Sequence, residues 1–302
     1  PRGFVLIVVP IMNKTDLNRM KMQKINRTFH GFLGCFLVVA LCCGARGNAE
    51  NPSSVHFSEV QRNASSRRLA SPARLLEQPA RMPGVPEQLL AHTGYTLSFN
   101  RIYNQPNWVA WELTARETEG STIRAREFRP DPLVALPHRV TTDDYKGSGY
   151  DRGHMVPAAD MKWSARAMAD CFYMSNICPQ HPVLNGGAWA ALEKACRRWA
   201  KQEGRVYIVC GPVFKGGRYK QIGRKLRITV PDGFFKVVLS VRKGHEKAIG
   251  FYYRNNGSKQ PMPAAVLTVD EVEVLTGINF FPALPNALER KVESQASLKA
   301  WQ

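Results

Sequence analysis

The chain has 302 residues, 44% of them hydrophobic and 22% charged, which excludes a wholly disordered chain, a collagen and a coiled coil. Its 42 Lys and Arg residues outnumber its 24 Asp and Glu residues, so the net charge is +18. Residues 194–259 concentrate this excess, with 17 basic and 3 acidic side chains. Such a segment attracts polyanions, namely nucleic acid, anionic lipid or acidic polysaccharide, and a soluble basic surface without a partner is the simpler alternative.

Residues 1–49 comprise upstream residues and a segment with the layout of a secretory signal peptide. A basic region at Lys24 and Arg27 precedes an apolar run from Phe29 to Ala45, and Gly47-Asn48-Ala49 is a suitable cleavage site. This order predicts an exported protein, periplasmic or secreted, without a stable membrane span in its mature form.

Two alternatives to a cleaved signal peptide remain open. The apolar run is short for a membrane span of ~20 residues, but a retained signal anchor is one alternative. A lipid anchor is the other, because Cys42 and Cys43 end the run.

Residues 50–87 are rich in Ser, Ala, Arg and Pro without a sustained period, and they predict a flexible or partly helical linker. Residues 88–302 form the predicted domain, in which hydrophobic patterning indicates strands and helices. The strands are expected at 95–100, 108–113, 205–210, 234–241 and 248–253, and the helices at 163–171, 186–202, 270–276 and 286–300. Because these elements do not alternate regularly, they favour an α+β fold with a central mixed or antiparallel sheet flanked by helices.

Four cysteines follow the apolar leader: Cys171, Cys178, Cys196 and Cys210. An even number permits one or two disulfides in an oxidising compartment, and four buried thiols are the alternative. Their spacing neither fixes a connectivity nor matches a zinc site.

The densest cluster of reactive side chains is Lys146-Gly-Ser-Gly-Tyr-Asp-Arg-Gly-His-Met155. His154 has Asp151 and Arg152 close by in sequence, and such neighbours can orient an imidazole and tune it as a general base near neutral pH. A lone histidine is more often structural, so this segment alone does not decide between a catalytic and a structural histidine.

A second candidate is the pair Asn185 and Glu193, which are eight residues apart on a predicted helix. The two side chains lie about 80° apart around an α-helix, so both oxygens can lean toward one side. A neutral amide with a carboxylate suits a largely hydrated Mg²⁺ ion. The simpler alternative is an asparagine N-cap and a solvent-facing glutamate.

In combination, these segments resemble the DNA/RNA non-specific endonuclease family of ββα-metal nucleases, which includes endonuclease G. The resemblance rests on Asp151-Arg-Gly-His154, on Asn185 at 31 residues after the histidine, and on Leu192-Glu193. It extends over roughly residues 90–295. The supporting segments are Glu127-Phe-Arg, Asp131-Pro, Tyr173–Asn176, Pro179-Gln180, Gly211–Phe214 and Leu275–Pro282.

The resemblance implies a ββα-metal fold and a role for each matched residue. His154 would be the general base, and Asn185 the direct protein ligand of Mg²⁺, with Mn²⁺ as the alternative ion. Glu193 would hold a metal-bound water. The remaining roles are phosphate contacts by Arg152 and Arg126 and a structural hydrogen bond to Asp151.

The implied activity is metal-dependent hydrolysis of phosphodiester bonds in DNA and RNA, with 5′-phosphate products and phosphate-backbone contacts from the basic segment. A homodimer is a further expectation, because dimers are common in the family. Two other functions stay open: an inactive basic protein that binds nucleic acid, and a phosphodiesterase for a smaller substrate.

Overall fold

The structure is a computed structural model that describes residues 75–302. Its centre is a seven-stranded sheet in the order β1-β2-β3-β6-β9-β10-β11, with antiparallel pairing throughout. The expectation of an α+β fold is confirmed, and the sheet is antiparallel rather than mixed. The sheet strands are β1 (Gln88–His92), β2 (Tyr95–Asn100), β3 (Gln105–Thr114), β6 (Arg205–Val213), β9 (Gly233–Ser240), β10 (Lys247–Arg254) and β11 (Val266–Leu267).

Two small antiparallel pairs lie outside the central sheet. They are β4 (Asp151–His154) with β5 (Ile177–Gln180), and β7 (Gln221–Ile222) with β8 (Ile228–Thr229). The helices are α1 (Ala165–Asp170), α2 (Pro182–Leu184), α3 (Ala190–Glu203), α4 (Val269–Thr276) and α5 (Asn286–Glu293), and a π-helical turn (Asn185–Trp189) joins α2 to α3.

Both faces of the central sheet are covered. Along β3, Trp111 points into one hydrophobic core, which includes Trp199 of α3, whereas Trp108 points into the other, which includes Val272 of α4. Because both faces are buried, β3 reads as a nearly continuous apolar run rather than a strict alternation.

Each strand predicted from the hydrophobic pattern is present, and the sheet extends several of them. β3 begins three residues before the predicted start at 108, and β6 continues to Val213. The helix predicted at 163–171 is α1, and Ser164 caps it by accepting a hydrogen bond from the Ala167 backbone N–H. The last helix was predicted too long, because α5 ends at Glu293 and a separate 3₁₀ turn spans Leu298–Trp301.

Described residues before 88 also pack against the sheet. The Ala80 N–H donates to the Asn279 carbonyl, and Leu76 and Met82 pack against the core that includes Trp108. Residues 76–82 of the segment predicted as a linker therefore pack on the sheet. The signal peptide and residues 50–74 lie outside the described residues. Across residues 75–302 we find no helix with the length and apolar character needed to cross a bilayer.

Candidate active site

The β4–β5 hairpin carries the Asp-Arg-Gly-His segment. Its register places Asp151 opposite Gln180 and His154 opposite Ile177. A Cβ atom on Gly153 would lie 2.3 Å from the Gln180 side-chain oxygen, so the Gln180 side chain that packs over this position leaves room only for glycine. The chain leaves β5 and enters the helical stretch at Pro182, so two short strands and a helix converge on one site.

Asn185 is held by Asp151. The Asn185 Nδ2 atom donates a hydrogen bond to Asp151 Oδ2 at 2.9 Å. The amide nitrogen is thereby occupied, and the Asn185 Oδ1 atom accepts no hydrogen bond from any residue between 75 and 302. The expected role of Asp151 as a hydrogen-bond acceptor agrees with this geometry, and Asn185 presents an oriented, unengaged oxygen.

The helix begins earlier than predicted, and Asn185 is not its N-cap. Pro182 occupies the first helical position, and the ring of His181 accepts a hydrogen bond from the Val183 N–H at 3.2 Å. The Asn185 N–H already donates to the His181 carbonyl. Proline suits this first position because it lacks the N–H that would have no partner there. The asparagine side chain is thus free for another role.

Asn185 opens the π-helical turn. Gly186 and Gly187 are exposed on this turn, and Trp189 at its end is buried. The Trp189 indole N–H donates to the His154 carbonyl at 3.3 Å, which fastens the turn to the end of β4. Single π turns inside α-helices occur frequently at functional sites.

His154 lies in an aromatic pocket. Its ring centroid is 5.2 Å from that of Phe128 and 4.8 Å from that of Phe172, and the residue is 9% exposed. Burial lowers its pKa to about 3, with further lowering by Arg124 and Arg152. The imidazole is therefore neutral at physiological pH. Its buried Nε2 atom has no hydrogen-bond partner among the described residues.

Two arginines cover the aromatic pocket. The Arg152 guanidinium lies 4.5 Å from the Phe128 ring centroid, and that of Arg124 lies 5.2 Å from Phe172. Both side chains belong to exposed residues, so their charges are open to an anionic ligand. Arg126 is also exposed, but it makes no hydrogen bond or ion pair within the part of the chain that the structure describes.

The family resemblance indicates Arg126 as a phosphate contact and gives no role to Arg124. The two residues are alike in type and belong to a segment without regular structure, so spacing alone cannot separate them. The contact with Phe172 and the effect on the pKa of His154 identify Arg124 as the arginine beside the site.

Glu193 is half-buried rather than solvent-facing. Burial raises its pKa to about 7, and Lys236 and Arg197 oppose this rise. Arg197 itself forms a 2.9 Å ion pair with Asp160, which also accepts the Trp111 indole N–H. The carboxyl group of Glu193 therefore belongs to a partly buried network of charges with Lys236, Asp160 and Arg197.

Lys236 lies at the centre of this network. It is 1% exposed, and its Nζ atom is 4.4 Å from the ring centroid of Trp189 and 5.0 Å from that of Trp111. A buried lysine requires compensating groups, here two aromatic faces and the nearby carboxylates. Sequence reasoning missed this residue, although a lysine inside the apolar strand 233–240 was an available signal.

Polar residues of the candidate site line an open cleft of about 510 Å³. Asp151, Arg152 and Asn185 line it together with Lys146 and Tyr150, whereas His154 lies behind Phe128. The Lys220 ammonium, which belongs to the loop before β7, lies 4.8 Å from the Tyr150 ring. The cleft therefore combines the oriented asparagine oxygen with several cations.

The four body cysteines do not form disulfides. Cys171, Cys178, Cys196 and Cys210 are all buried free thiols. Burial raises the pKa of Cys171, Cys196 and Cys210 to about 12. Thiols of this kind are poor nucleophiles and poor metal ligands at neutral pH.

Comparison with known proteins places this geometry in a family. The sequence matches the family described as DNA/RNA non-specific endonuclease over residues 77–287. It is 34% identical to human mitochondrial endonuclease G, an alignment that covers 72% of this chain and 75% of that protein. It is 34% identical to nuclease C1 of Cunninghamella echinulata var. echinulata, covering 67% and 86%. It is also 35% identical to the mitochondrial nuclease EXOG of Xenopus laevis, covering 64% of this chain and 58% of that protein.

A solved structure shows the same fold. The EndoG structure from the EndoG/EndoGI complex superposes with a TM-score of 0.62 at 28% identity, and the match covers 66% of this chain and 87% of that chain. The ββα arrangement of β4, β5 and the helix of Asn185 agrees with this similarity. The chain therefore belongs to the DNA/RNA non-specific endonuclease family.

Proposed function

We propose that the protein is a metal-dependent endonuclease that hydrolyses phosphodiester bonds in both DNA and RNA and leaves 5′-phosphates. The observation that carries the proposal is the Asn185 amide. Asp151 fixes it with one oxygen unengaged, in a cleft that also holds Arg152 and lies beside a neutral His154.

A hard divalent cation fits the residues on the polar side of the cleft. The Asn185 Oδ1 atom is a neutral oxygen donor of the kind that Mg²⁺ accepts while it keeps most of its waters, and Mn²⁺ accepts similar ligands. Glu193 would hold one of these waters. When bound, the ion supplies positive charge that neutralises the scissile phosphate and stabilises the departing 3′ oxygen.

His154 is suited to the role of general base. Its imidazole is neutral and its Nε2 atom has no partner among residues 75–302. In the proposed step, His154 takes a proton from water as the water oxygen attacks phosphorus, and the bond to the 3′ oxygen breaks. Phe128 and Phe172 limit the access of bulk water and keep the imidazole neutral. A phosphate anion bound beside the ring would raise the pKa of His154 from this low value and so strengthen it as a proton acceptor.

The arginines contribute charge to the substrate site. An exposed guanidinium can donate two parallel hydrogen bonds to phosphate oxygens, and Arg152 and Arg124 are both placed to do so beside His154. Contacts of this kind address the phosphate backbone, which DNA and RNA share, and carry no sequence information. They support cleavage without sequence or sugar specificity.

We also propose that residues 1–49 direct export and that the active form is a homodimer. The basic, apolar and small-residue regions in order support export. Two of the relatives are named as mitochondrial proteins. Fractionation of cells that express a reporter fused to residues 1–60 tests export, because retention of the reporter in mitochondria or cytosol would contradict it.

Light scattering of the purified protein tests the dimer.

The test of the activity compares plasmid DNA and RNA with Mg²⁺ and with excess EDTA. We expect the protein to degrade both substrates with Mg²⁺ and neither with EDTA. Asn185→Ala should lower the rate by about 10²-fold or more, since loss of a preorganised catalytic contact has this magnitude. Asn286→Ala, which changes an exposed asparagine on α5, is the matched control.

Each other function predicts a different result. Binding of both polymers without cleavage under either metal would favour the inactive binding protein. Hydrolysis of a small diester with both polymers left intact would favour the small-substrate phosphodiesterase.

A further inference from the structure

A second cavity, of about 350 Å³, carries three cationic side chains: Lys215, Arg254 and Lys259. Tyr252, Ser258 and Gln260 also line it, and none of the lining residues is acidic. Within residues 75–302, none of the three cations makes an ion pair. Three like charges around one cavity repel each other, and an anion bound between them would relieve that repulsion.

The walls of this cavity are held by hydrogen bonds. The Gln260 side chain accepts from the Arg254 N–H at 2.7 Å and donates to the Arg254 carbonyl at 2.9 Å, which closes the loop after β10. The Lys215 N–H donates to Asp232, and the Lys215 ammonium lies 4.3 Å from the Tyr252 ring. The cations are therefore set on fixed backbone.

Asn255 joins the cavity to the candidate active site. Its Oδ1 atom accepts a hydrogen bond from the His181 N–H at 2.7 Å, and its Nδ2 atom donates to the Pro179 carbonyl at the end of β5. A Cβ atom on Gly257 would lie 3.2 Å from the His181 ring. His181 caps the helix that presents Asn185 one turn later, a rise of ~6 Å. The cavity thus lies a short distance beyond the helix start.

Basic residues of 194–259 occur at both ends of β10. Arg254 ends β10, whereas Lys247 begins it, and eight strand residues span ~26 Å. Lys247 contacts Glu203 at the end of α3 and the Ala300 carbonyl. The exposed Lys201, Lys243 and Lys299 are neighbours of these groups in sequence, so they lie at the end of β10 away from Asn185.

We propose that the cavity of Lys215, Arg254 and Lys259 binds a backbone phosphate of the nucleic-acid strand, a few nucleotides from the scissile bond. This inference rests on the proposed nuclease function, which supplies the strand. Arg254 can bind phosphate oxygens bidentately, and the two lysines add point charges. The half-buried Tyr252 supplies an aromatic face next to them, as in surfaces that bind single strands.

The test measures binding of labelled single-stranded oligonucleotides of 4 to 20 nucleotides by fluorescence anisotropy in EDTA, where cleavage is absent. The cavity variant carries Lys215→Gln, Arg254→Gln and Lys259→Gln. The matched control carries Lys201→Gln, Lys243→Gln and Lys299→Gln, which removes the same charge from the opposite end of β10.

We expect the cavity variant to weaken binding of the longest oligonucleotide by about tenfold or more and to bind the shortest one like the control. The slope of log Kd against log salt should fall by about 0.7 for each lost phosphate contact. A loss equal to that of the control, or a loss independent of length, would overturn the inference.

Cleavage of plasmid DNA by the parent protein shows whether the cavity inference or the proposed nuclease function has failed. If the parent cleaves and the cavity variant binds like the control, only the cavity inference fails. If the parent binds but cleaves neither DNA nor RNA, the proposed nuclease function fails.

Discussion

His154 and Asn185 lie on two sides of the candidate active site, and different interactions hold them in their functional states. On one side, His154 is enclosed by Phe128 and Phe172, and the removal of water keeps its imidazole neutral. On the other, Asn185 lines an open cleft, and a hydrogen bond to Asp151 orients its amide. In the proposed function, the base must stay unprotonated and the metal ligand must point in a fixed direction, so burial would serve the first and hydrogen bonding the second.

The largest expected effect comes from removing the base on the enclosed side. His154→Ala should lower the cleavage rate by about 10²- to 10⁴-fold, the usual contribution of general acid–base catalysis. The fold should persist, because Trp189 bonds to the His154 backbone carbonyl rather than to the ring. Single-turnover kinetics on plasmid DNA measure the rate, and thermal melting checks the fold. Activity within tenfold of the parent would exclude His154 as the base.

A smaller effect should follow from removal of the buried charge of Lys236. Lys236 lowers the pKa of Glu193, so Lys236→Met should raise that pKa and leave Glu193 mostly protonated at pH 7. One pKa unit changes the ionised fraction by up to tenfold, and we expect a loss of activity of about tenfold at pH 7 that recovers by pH 9. The control is Lys243→Met, on an exposed lysine.

The pH–rate profile decides this prediction. A uniform loss at every pH would mean that Lys236 acts through packing rather than through the charge of Glu193.

The third effect concerns stability and depends on His154 alone. The native pKa of His154 is about 3, below its ordinary value of 6.5. Below pH 6.5 the unfolded chain takes up a proton that the native protein does not, so unfolding becomes more favourable as the pH falls toward 3. The cost is about 1.4 kcal/mol per pH unit.

Comparison with His154→Gln isolates this contribution. The glutamine variant lacks the titrating group. Its free energy of unfolding should therefore rise relative to that of the parent by about 1.4 kcal/mol for each pH unit as the pH falls from 6 to 4. Urea denaturation in EDTA measures both free energies of unfolding. A difference that stays constant with pH would show that the imidazole is not held neutral by burial.

The residues to which the proposed function assigns chemistry are easier to predict from the sequence than the residues that contact them. His154, Asn185 and Glu193 occur at spacings that a family pattern preserves, and the structure brings the segments of Asp151, His154 and Asn185 together. Lys236 and Arg124 act through contacts with residues distant in sequence, which no local pattern encodes.

The strands of the sheet were predicted because apolar runs persist in buried strands, whereas helix starts depended on capping. The helix before Asn185 begins at Pro182 because of a proline and a His181 cap, a signal that the hydrophobic period does not contain. The four-residue strands β4 and β5 are too short to show a period, and only their pairing identifies them.

The π-helical turn at Asn185–Trp189 changes the angle between Asn185 and Glu193 around the helix axis. Asn185 and Glu193 are eight residues apart, which in an unbroken α-helix sets them about 80° apart. The wider turn absorbs roughly one extra residue, so the pair is spaced like residues seven apart, and the angle falls to about 20°. The inserted residue therefore aligns the amide and the carboxyl along one line of the helix, while Leu192, Cys196 and Trp199 keep their phase against the sheet.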